Sequence, residues 1–91
     1  MESITILRSD LLKLQILYKL LDRNTHTPSE LSILLNTNAK TILRNSKFLE
    51  LLEFITIDVK KTNRNYYYLT ITSTGFNFYQ KNKDTLINML K

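Results

Sequence analysis

Lys40, Arg44 and Lys47 stand four and three residues apart, with Thr41 and Asn45 among them and Asn38 just ahead. At about 100° per residue, this spacing sets the three cations on one helical face. Such a face does no covalent chemistry. It offers hydrogen-bond donors to a polyanion. The planar fork of Arg44 suits bidentate pairing with guanine, and Thr41 and Asn45 suit contacts to bases or sugars. Lys40 and Lys47 suit phosphates, which position a protein without specifying sequence. A second basic group follows at Lys60, Lys61 and Arg64, around Asn63.

The chain of 91 residues carries a net charge of +5. Residues 1 to 30 are neutral, with four basic and four acidic side chains. Residues 31 to 65 hold six basic and three acidic side chains, and residues 66 to 91 hold three and one. The excess thus sits where the two basic groups sit, as a polyanion-binding surface requires. Other chemistry is poorly supplied. There is no Cys, hence no disulfide and no thiolate ligand, and His26 is the single His, best read as a surface residue. One Gly cannot build a phosphate-cradling loop, and the carboxylates are scattered away from any nucleophile. The expectation is a protein with no catalytic activity, no metal and no cofactor. The apolar runs are too short to span a bilayer, and the first ten residues lack the apolar core of a signal peptide. The expected location is therefore intracellular, in the cytoplasm. With 43% hydrophobic residues, the length suits one domain over 1–91.

The elements that must position the cations follow from periodicity and caps. Ser9 caps a first helix whose apolar positions, Leu11, Leu14, Leu17, Tyr18 and Leu21, make a wide stripe with Leu12, Ile16 and Leu20. Thr27-Pro28-Ser29-Glu30 reads as a capping box with proline at the first helical position. It opens a short helix whose apolar face is Leu31, Leu34 and Leu35. Asn36-Thr37-Asn38 interrupts, and a third helix runs from about Asn38 to Leu52. Its inner side is Ala39, Ile42, Leu43, Ser46 and Leu49, with Phe48 at the edge of the outer one. Residues 54–59 and 66–71 alternate and are rich in β-branched and aromatic types, so they predict two strands around a polar loop, 60–65. Alternation puts Tyr67, Leu69 and Ile71 toward the core and Tyr66 and Tyr68 outward. A last helix spans 73–90. Its apolar residues, Phe76, Tyr79, Leu86, Met89 and Leu90, exceed what one small core absorbs, which predicts a homodimer through this helix.

Helix, helix, helix, hairpin, helix is an α+β, mainly α arrangement: a three-helix bundle with a helix-turn-helix, a β-hairpin and a C-terminal helix. Thr27-Pro28-Ser29-Glu30-Leu31, the helix from Lys40 to Leu52, Phe54-Ile55 and Ile71-Thr72-Ser73-Thr74-Gly75 resemble small winged helix-turn-helix regulators. Regulators of the PadR and MarR type, from archaea and archaeal viruses, are similar. In such proteins G-L-I follows the recognition helix and Y-x-L-T-x-x-G closes the wing. Three positions depart from the pattern: Glu53 replaces the Gly, Leu69 replaces the Tyr, and Ser46 occupies an apolar core position. The first departure implies a turn out of the third helix made differently.

The resemblance implies a dimeric DNA-binding regulator, with Lys40, Thr41, Arg44 and Lys47 on the recognition helix and 60–65 as the wing tip. The expected partner is double-stranded DNA, with helix 38–52 in the major groove and the wing on the backbone or minor groove. Two other readings compete. One is an architectural, DNA-coating or DNA-partition protein of low sequence specificity. The other is a winged helix used as a protein-interaction module. Arg44, Thr41 and Asn45 favour sequence-specific regulation over coating.

Overall fold

The computed structural model describes residues 11–90. Helix α1, Leu11–Lys19, runs into a 3-10 turn at Leu20–Asp22. Arg23 ends it in the left-handed region, at φ 64°, with its N–H on the Leu20 carbonyl. Leu14, Ile16, Leu17 and Leu20 are buried, as the wide apolar stripe predicts, while Leu11 and Tyr18 remain exposed. The cap expected at Ser9 lies outside the described residues.

Thr27 caps α2, Pro28–Leu34, by accepting the Glu30 N–H at 3.1 Å. Only half of the expected capping box forms. The Glu30 carboxylate turns to His26 Nδ1 at 2.9 Å, a bond that charge strengthens. The buried face of α2 is also narrower than expected. Leu31 is buried and Leu35 half-buried, but Leu34 is exposed, as is Ile33 at 82%.

Asn36 takes a left-handed conformation at φ 54°, a geometry that Asn tolerates better than most residues. The turn then delivers Asn38 as the cap of α3, Ala39–Leu51, where its side chain accepts the Thr41 N–H at 2.9 Å. Ile42, Asn45, Ser46 and Leu49 form the buried side of α3. Ser46 pairs its hydroxyl with the Ile42 carbonyl at 2.7 Å, so a polar group sits in the core without an unmet bond.

The turn out of α3 keeps the geometry that glycine normally serves. Glu53 adopts φ 64°, its N–H reaches the Glu50 carbonyl, and the Phe54 N–H reaches the Leu49 carbonyl. This is a Schellman ending with a glutamate in the left-handed position. The expectation of a different turn is thus corrected: the residue differs, and the geometry is retained.

Strands β1, Ile55–Lys61, and β2, Asn65–Ile71, pair antiparallel from Ile55 opposite Ile71 to Lys61 opposite Asn65. The ladder is longer than expected, because Lys60, Lys61 and Asn65 belong to it. Only residues 62–64 lie outside the strands. His26 adds a bridge to the other edge of β2, exchanging backbone bonds with Leu69 at 2.9 and 2.7 Å.

The expected last helix is two helices, α4 at Ser73–Lys81 and α5 at Lys83–Leu90. They break at Asn82, whose side chain donates to the Phe78 carbonyl, while its own carbonyl accepts the Leu86 N–H. An Asn that bonds back to the preceding turn competes with helix continuation, and the surrounding residues 80–85 are polar. The expected surplus of exposed apolar residues is not found at the positions described. Tyr79 and Leu86 are 3% and 0% exposed within the chain, and the Arg23 guanidinium lies 3.9 Å from the half-buried Phe76 ring. The side chains of Met89 and Leu90 lie outside those described.

Candidate nucleic-acid interface

The outer face of α3 is set by what the inner face buries. With Ile42, Ser46 and Leu49 fixed in the core, helical geometry leaves Lys40, Arg44 and Lys47 exposed on the opposite side. Thr41 is half-buried at the border. Asn45 is not available at this surface. It is 6% exposed, and its amide donates to the Thr41 carbonyl at 2.9 Å. The expected base contact by Asn45 is therefore corrected: its amide is buried and bonded within the helix. At about 100° per residue Asn45 falls between the two faces, and burial of the helix flank decides against the outer one. Asn38 is exposed, but its side-chain oxygen is committed to the cap.

The hairpin brings Arg64 of the second basic group to the same region. Residues directly opposite in the ladder share a face. Lys61 and Asn65 therefore stand on the face that carries Ile55, Ile57, Leu69 and Ile71, the side from which β2 meets the helices. Lys60 and Tyr66 stand on the other face. The adjacent lysines thus point to opposite sides of the wing. Arg64, in the exposed loop with Asn63, donates through Nε to the Tyr66 hydroxyl at 3.2 Å, with its guanidinium 5.1 Å from the ring centre. This leaves the guanidinium's terminal fork open for an outside partner.

Between the start of α2, the start of α3 and the wing lies a cleft of about 400 Å³. Pro28, Ala39 and Leu43 form apolar walls, with Lys40 from α3 and Arg64 from the wing on its lining. The fold therefore brings one cation of each basic group, Lys40 and Arg64, to one open groove. Leu43, placed on the inner side by sequence periodicity, is half-buried in this cleft and does not join the core cluster.

Sequence reasoning missed the arrangement around His26. Its Nε2 lies 2.8 Å from Asp22 Oδ2 and its Nδ1 2.9 Å from Glu30 Oε2. Burial disfavours the charged ring, but hydrogen bonds to Glu30 and Asp22 and their charges outweigh it and raise the His26 pKa. Asp22 is held below its usual value first by the Asn24 backbone N–H, and also by His26. The trio binds the end of α1, the start of α2 and, through the His26 backbone, β2. The four-residue spacings 22, 26 and 30 were the available signal.

Among the described residues, no helix is long and apolar enough to cross a membrane. No protein-family model matches the sequence, and no curated protein matches it. A solved structure is similar over almost the whole chain: the transcriptional regulator homologue protein from Pyrococcus horikoshii OT3. The match has a TM-score of 0.68 at 17% sequence identity and covers 99% of this chain and 91% of that one. Helices followed by a β-hairpin and C-terminal helices, in an arrangement shared with that regulator homologue, make this a mainly helical α+β protein of the winged-helix fold.

Proposed function

We propose that the chain is a sequence-specific transcriptional regulator that binds duplex DNA with α3 in the major groove and the hairpin against the backbone or minor groove. The observation that carries this reading is a groove flanked by both Lys40 of α3 and Arg64 of the wing. Two basic elements that lie far apart in the sequence share it, as a protein tracking one duplex needs. The solved transcriptional regulator homologue has the same fold. Likeness to regulators of the PadR and MarR type remains part of this proposal. Arg44 is assigned to a base pair, Thr41 to bases or sugars, and Lys40, Lys47, Lys60, Lys61 and Arg64 to phosphates. Asn63 sits at the wing tip. Asn38 acts by capping α3.

The division of roles is tested by selecting bound duplexes from a random pool and measuring affinities of two variants. Arg44→Ala is expected to relax preference at one position, a loss of about 1–3 kcal/mol on the selected site and little on random DNA. Lys61→Ala is expected to weaken all sequences alike. Equal losses for both variants on every duplex would contradict the assignment and favour a coating protein.

A two-fold dimer would set two α3 helices on successive major-groove faces. Its support is the exposed pair Leu11 and Tyr18, seven residues apart on α1, the helix that packs against α5. Tyr18→Glu is expected to convert the dimer to monomer in sedimentation equilibrium. A wild-type chain that stays monomeric at about 100 μM, weaker than about −5.5 kcal/mol of association, would refute this assembly.

A further inference from the structure

The exposed face of α3 is not uniformly polar. Leu43 lies three residues after Lys40, one before Arg44 and four before Lys47, so it borders the cations along the helix. The core does not account for it, because Leu43 stays outside the buried cluster that Ile42, Ser46 and Leu49 enter or adjoin. Its side chain is half-buried in the cleft beside Ala39, Pro28 and Lys40, facing the groove shared with the wing.

A leucine can give nothing to a phosphate oxygen or to a hydrogen-bonding base edge. In the major groove, the distinctive apolar group is the 5-methyl of thymine. Deoxyribose also presents apolar C–H surface, but every nucleotide carries it, so packing on sugar does not discriminate. Resting on the reading of α3 as the groove helix, we propose that Leu43 is a specificity residue that packs on the 5-methyl of a thymine adjacent to the base pair contacted by Arg44. The preferred site then combines a guanine, read by the guanidinium fork, with a neighbouring thymine, read by an apolar contact.

Replacing thymine by uracil removes the methyl and leaves every hydrogen bond and every sugar in place. The experiment uses the full chain and a duplex selected from a random pool, with single thymines replaced in turn by uracil. For the wild-type protein, one replacement is expected to lower affinity about fourfold, the effect of one buried methyl. With Leu43→Ala, affinity for the thymine site falls by a similar factor, and the uracil site then binds equally well. Because the first measurement alters only the DNA, it does not depend on how the variant folds. The proposal is overturned if no replacement changes wild-type affinity, or if the loss persists in Leu43→Ala. A selected sequence insensitive to the methyl overturns this inference alone. Recovery of no preferred sequence overturns it together with the proposed regulator function.

Discussion

His26 has a carboxylate on each ring nitrogen, Glu30 at 2.9 Å and Asp22 at 2.8 Å. Only the imidazolium can donate to both. Its folded-state pKa is raised, despite burial, by those two partners. Its contribution to stability is therefore complete below the unfolded value of about 6.5 and is lost as pH rises through the higher folded value. Asp22 has the opposite sense: its pKa is lowered, so its contribution is present above its ordinary value and is lost on acidification. We expect the melting temperature of the wild type to exceed that of His26→Asn most near pH 6, with the gap closing on the alkaline side. A gap that stays constant from about pH 6 to about pH 9 would contradict this. Reading residue types alone made His26 a surface residue, because neither the bridge to Leu69 nor the direction of the Glu30 side chain shows in the local sequence. Thr27-Pro28-Ser29-Glu30 announces the start of α2, but the partner of its glutamate depends on the chain end of α1.

At the scale of elements, α3, the wing and α4 meet at one junction. Thr72 donates its hydroxyl to the Glu53 carbonyl at 2.6 Å and accepts the Gly75 N–H at 3.0 Å, while its backbone N–H binds the Phe54 carbonyl. The residues of the wing-closing motif thus have physical tasks: Ile71 fills the core, Thr72 caps α4, and Gly75 lets α4 approach the strand. A Cβ on Gly75 would lie 2.2 Å from the Phe54 carbonyl oxygen. Gly75→Ala is expected to cost about 2 kcal/mol, since backbone must move. Glu53→Gly is expected to stabilise by about 0.5 kcal/mol. It relieves about 1 kcal/mol of left-handed strain and gives back part of that through the freer unfolded chain. Thermal melts check both, with Tm lowered by about 8–16 °C and raised by about 2–4 °C respectively. A Tm for Glu53→Gly below wild type would mean that the left-handed geometry is not strained. The order of elements was legible because caps and periodicity are local. The break at Asn82 and the exposure of Leu34 were not. The first depends on a side chain turning back on its own helix, and the second on which neighbour happens to cover α2.

At the scale of the whole molecule, the fold brings a cation from each of two modest charge clusters, Lys40 and Arg64, to one groove. The charge excess and its two centres were legible in the sequence, because charge patterning needs no coordinates. Which residues of α3 reach that surface was not fully legible. Asn45 lies on the flank that packing closes, and Leu43 on the flank that the cleft opens. The central claim is that this surface holds duplex DNA, with five cations, Lys40, Lys47, Lys60, Lys61 and Arg64, set against phosphates. Its most direct test is the affinity for a duplex as a function of salt. Five neutralised phosphates predict a slope of about −4.5 in log affinity against log salt, or about a 500-fold loss between about 50 and 200 mM. Absence of binding to any duplex at about 50 mM salt, or binding with a slope near zero, would contradict the account.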